Sequence, residues 1–77
     1  MSVRGEFERI LGDTTAALRV RGVPDLSERL ERTASISGEV LSVRAGAVLA
    51  VIESISDDEL RASVDHLASI CRVIVGR

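Results

Sequence analysis

Between Val40 and Ile52 the chain reads VLSVRAGAVLAVI, thirteen residues of which ten are apolar and only Arg44 is charged. Wound as a helix, this segment is apolar on nearly every side, and such a helix needs cover all round. Small residues Gly38, Ser42, Gly46 and Ala50 recur every four positions, a spacing that lets a second helix backbone approach closely. A chain of 77 residues has few elements with which to cover the rod. Part of the cover is therefore expected from a second copy or another protein.

Size sharpens that expectation. A chain this short buries only about 60 to 65% of the surface its unfolded form exposes, so added burial at an interface matters to it. At 45% hydrophobic and 29% charged, the composition is that of one folded domain. Phe7 is the only aromatic residue. The core must be built from Leu, Ile, Val and Ala, and little is left for stacking on bases, sugars or flat cofactors; no cofactor is expected. Lys, Asn, Gln, Trp and Tyr are absent and all ten positive side chains are Arg. We read this as the coding bias of a G/C-rich bacterial source rather than as an anion-selective surface. The net charge of -2 gives no broad attraction to nucleic acid or anionic lipid.

Cys71 is the single cysteine, which rules out an internal disulfide and makes a reducing compartment the simpler expectation. The segment MSVRGEFERILGD lacks the continuous apolar run of a secretory signal. The apolar stretch is too short to span a bilayer and has Arg44 inside it. A soluble, cytoplasmic protein is expected.

Three helices are predicted, over about 2–21, 25–54 and 57–75. In the first, Val3, Phe7, Ile10, Leu11, Thr14, Ala17 and Leu18 fall at steps of three and four, with Ser2 as N-cap and Gly22 followed by Pro24 as the stop. Asp25 to Glu28 reads as a capping box opening the second. Its pattern runs on to about Ser54, roughly 44 Å at 1.5 Å per residue. Ser35-Ile36-Ser37-Gly38 is the weak point, where a kink or break competes with continuity, because glycine costs about 1 kcal/mol in a helix interior. Ser56-Asp57-Asp58-Glu59 opens the third helix, in which Leu60, Val64, Leu67, Cys71 and Ile74 form a heptad seam. The expected fold is all-α: an antiparallel helical hairpin or three-helix bundle with a long central helix, oligomeric. The competing reading is α+β, with strands at 48–52 and 72–75.

No motif carries a resemblance specific enough to name a family, and none carries catalysis. His66 lies about 120° from the seam of the third helix with no second histidine to complete a metal site. Cys71 lies inside that seam and reads as a small core residue. Glu53, Asp57, Asp58 and Glu59 lack the spacing and central glycine of a calcium loop, and capping accounts for most of them. The expected function is a non-enzymatic protein–protein interaction module: an adaptor, accessory subunit or regulator. It would form a homo-oligomer, a dimer or higher, through Gly38, Leu41, Ser42, Gly46, Val48, Leu49, Ala50 and Ile52. Val40, Val43, Ala47 and Val51 populate the other side of the same helix. The alternatives are a small dimeric nucleic-acid-binding regulator or antitoxin using Arg19, Arg21, Arg29 and Arg32, and a non-catalytic subunit of an enzyme complex.

Overall fold

In the computed structural model, which describes residues 2–76, the chain is all-helical. It has five helices and, among the described residues, no strand: α1 (Val3–Val20), α2 (Pro24–Ile36), α3 (Leu41–Glu53), α4 (Asp58–Ser63) and α5 (Asp65–Val75). The strand alternative therefore fails, since 48–52 and 72–75 lie within α3 and α5.

α1 starts and stops where its caps dictate. The Ser2 hydroxyl accepts from the Gly5 N–H at 3.0 Å. At the other end Gly22 takes a left-handed φ of +83°, and the Val23 N–H reaches back to the Leu18 carbonyl at 2.9 Å, the closure that a C-terminal glycine makes possible. The capping box expected at Asp25 is not used. Pro24 occupies the first helical turn and the N-cap, Val23, makes no side-chain cap, because proline has no N–H to satisfy and its φ is already helical. Ser27 is fully buried and donates to the Thr15 carbonyl at 2.9 Å, tying α2 to α1.

The long central helix is broken. Ser37 to Val40 separates α2 from α3, Gly38 adopts φ +84°, and α3 packs back against α2. Nothing in the described chain extends over 31 Å along a principal axis, well short of a straight 44 Å rod. The third expected helix is also divided, at Val64, whose φ and ψ are -108° and 9°. Hydrogen bonds from Val64 N–H to Leu60 O and from Ala68 N–H to Val64 O carry the chain through without a loop. Asp57, rather than Ser56, caps α4, accepting from the N–H groups of Glu59 and Leu60 at 2.9 and 3.1 Å.

α1 packs on α2, α2 on α3, α3 on α5 and α5 on α1, closing a ring of four helices around the core; α4 buries no residue and lies against α5. Phe7, Leu18, Leu30, Val48, Ile52, Val64 and Leu67 fill the centre. The seam of α5 falls inside as its spacing predicts, with Val64, Leu67, Cys71 and Ile74 all buried.

Candidate interaction face on α3

The only charge between Leu41 and Ile52 is turned inward. The Arg44 side chain, 13% exposed, pairs with Glu8 and lies 5.3 Å from the centre of the Phe7 ring. Its Nε donates to the Ala34 carbonyl at 3.1 Å, so one guanidinium joins α1, α2 and α3. The cation is stabilised by the carboxylate and the aromatic face together. The consequence is that the outward side of α3 up to Glu53 carries no charge.

The eight residues expected at an interface do not share one face. Val48 and Ile52, at 0 and 1% exposure, belong to the subunit's own core and offer nothing to a second chain. Leu41 and Leu49 are half-buried against that core. Gly38 lies in the connection, not on the helix. Ser42 and Ala50 are exposed, and Gly46 is half-buried with open space for a Cβ up to Val75, 3.9 Å away. Of the residues assigned to the other side, Val51 is buried, Ala47 is half-buried, and Val40 and Val43 are 60 and 54% exposed. The surface that remains is Val40, Ser42, Val43, Gly46, Ala47 and Ala50. Sequence reasoning placed Val43 and Ala47 opposite the small-residue ladder; the structure puts them beside it, and the inward Arg44 is the signal that fixes the phase.

The remaining candidates have structural settings. Cys71 is fully buried and burial pushes its thiol up to about 11, against a smaller opposing pull from Arg72, so it is neutral and shielded near pH 7. His66 is exposed on α5. Among the described residues no group of three His, Cys, Asp or Glu side chains is placed to hold a metal ion. Three of the four arginines of the nucleic-acid alternative are engaged with acids: Arg19 with Glu31 at 2.7 Å, Arg21 with Glu59 at 4.0 Å, and Arg32 with Glu28. Hydrogen bonding in the first of these pairs raises the Arg19 guanidinium and lowers the Glu31 carboxyl. A hollow of about 320 Å³ between α3, α4 and α5 is rimmed by Arg61, Arg72, Asp58 and Asp65 over Ile52, Ala62 and Ala68. Its two charges of each sign favour neither an anion nor a cation.

No helix among the described residues is long and apolar enough to cross a membrane. Comparison with known proteins finds no matching family model, no similar curated protein and no similar solved structure.

Proposed function

We propose that this small all-helical domain is a non-enzymatic protein–protein interaction module, an adaptor, accessory subunit or regulator of the bacterial cytoplasm, that self-associates through α3. One observation carries the reading: the only charge of α3 before Glu53 is spent inside the subunit, and the outward stripe of Val43, Ala47 and Ala50, with Val40 at the N-cap, presents apolar side chains to water. Scattered exposed apolar residues are ordinary, but a contiguous stripe of them on one helix marks a contact surface. The exposed faces of α1 and α2 differ, being laced with Arg9–Glu6, Arg9–Asp13 and Arg32–Glu28 pairs. The side chains of the stripe are small. A single helix face of this kind buries less than the roughly 800 Å² per partner of a standard interface, so a micromolar rather than nanomolar association is expected.

Sedimentation equilibrium at tens of micromolar tests the reading. The wild-type mass should rise with concentration, and Ala47→Glu should remain monomeric with unchanged helicity. A well-folded wild type that stays monomeric throughout would overturn it.

A further inference from the structure

The hollow between α3, α4 and α5 takes no part in association through α3, and its lining is chemically selective. It lies at the elbow of Val64, whose φ and ψ of -108° and 9° interrupt the helix, so that residues on both sides of the interruption line it. The floor is apolar and closed, with Ile52 and Ala68 at 1 and 2% exposure. The rim carries Asp58 and Arg61 from α4 and Asp65 and Arg72 from α5. The arginines that form ion pairs among the described residues are Arg9, Arg19, Arg21, Arg32 and Arg44; none of the four rim charges takes part in one. At about 320 Å³ the hollow stands at the small end of ligand-sized cavities, about 300–1,000 Å³.

Three properties narrow what fits. The rim charges sum to zero, which favours a molecule carrying one charge of each sign over a net anion or a net cation. Asp65 and Arg72 lie two turns apart on one side of α5, about 10 Å along its axis, and the small Ala68 between them leaves an apolar seat flanked by opposite charges. The chain's one aromatic ring, Phe7, is fully buried under Arg44, so no aromatic cage exists for a quaternary ammonium. A primary ammonium, which a carboxylate binds by hydrogen bonds, meets no such requirement.

We propose that this hollow binds a free aliphatic α-amino acid as its zwitterion. Arg72 donates two parallel hydrogen bonds to the α-carboxylate, Asp65 accepts from the ammonium, and the ligand side chain rests on Ile52, Ala62 and Ala68. A planar guanidinium matches a carboxylate in this way. Asp58 and Arg61 complete the rim and keep it neutral. All four rim residues are exposed, so the charge contacts are screened and the Kd is on the order of 1 mM, suited to sensing an abundant small molecule rather than to retaining a cofactor.

Amide shifts of the full-length chain, titrated with L-leucine to tens of millimolar at constant ionic strength, test the site. Two analogues keep the side chain and one charge each: N-acetyl-L-leucine, an anion, and L-leucinamide, a cation at about pH 6. With L-leucine, Ala62, Asp65, Ala68 and Arg72 should move along one saturable curve, and each analogue should bind about fivefold or more weakly, as expected for the loss of one charged hydrogen-bonding contact. Arg72→Gln and Asp65→Asn change exposed side chains and should weaken L-leucine by about the same factor. No saturable shift, an analogue that binds as well as L-leucine, or either variant binding it as tightly as wild type would overturn the proposal.

Discussion

α3 and α5 are neighbours of similar length that pack against each other, yet they expose very different surfaces. α5 buries Leu67, Ala68, Cys71 and Ile74 and turns Asp65, His66, Ser69 and Arg72 to water. α3 buries Ala45, Val48, Val51 and Ile52, tucks its one arginine beneath it, and turns Val43 and Ala50 outward. Both helices fill one side of the core; α5 turns mostly polar residues outward and leaves Val73 and Val75 half exposed toward its end, whereas α3 has no charged residue on its outward side before Glu53. An amphipathic helix is complete within its subunit; a helix apolar all round has a face left over.

Inside the core the two helices should behave alike. Ile52→Ala on α3 and Leu67→Ala on α5 each remove a side chain exposed by 1% or less, and each should cost about 2–5 kcal/mol in urea denaturation. A much smaller loss at Ile52 would mean that α3 is not seated in the core.

Their arginines should separate them. Arg44→Ala deletes the link to Glu8, Phe7 and the Ala34 carbonyl and should cost about 2–3 kcal/mol, as expected for a charged, largely desolvated hydrogen-bonding group. Arg72→Ala, on exposed α5 surface, should stay within about 0.5 kcal/mol. Equal effects in thermal melts would remove the distinction between an inward and an outward charge.

The buried thiol of α5 gives a pH test. Its pKa is raised by burial from the ordinary 9.0 to about 11, so the folded state holds its proton more tightly than the unfolded one. The stabilisation is complete below about pH 9 and lost as pH rises toward 11, on the order of 2 kcal/mol in all. Cys71→Ala should flatten that slope. At neutral pH the folded chain should resist thiol reagents until denaturant is added.

The smallest effect lies on the charged faces. Arg19 holds the Glu31 carboxyl below the usual carboxylate range, so the stabilisation it brings is present above the unfolded pKa and fades as pH falls through the folded one. Both partners are exposed, and Glu31→Gln should shift the melting temperature only slightly, and less still in high salt.

The same contrast explains what could be read in advance. The inside of α4 and α5 was legible because Leu60, Val64, Leu67, Cys71 and Ile74 keep one phase, and most of the positions between them are charged or polar. So was α1, with Ser2 and Gly22 marking its ends. α3 offered no such phase: with apolar residues all round, Val48 and Ala50 look equally suited to an interface, and the partners that draw Arg44 inward, Phe7, Glu8 and Ala34, are remote in sequence. The break at Gly38 was visible as a weak point but not as a reversal. Glycine permits a left-handed turn, and only the packing of α3 against α2 selects it.

The central claim is that the outward stripe of α3, and not the surface of α5, is where this chain meets a second copy. Amide chemical shifts recorded from micromolar to millimolar concentration test it most directly. Val43, Ala47 and Ala50 should move together along one binding curve while Asp65, His66 and Ser69 stay fixed. Shifts at all six positions that do not change with concentration would contradict it.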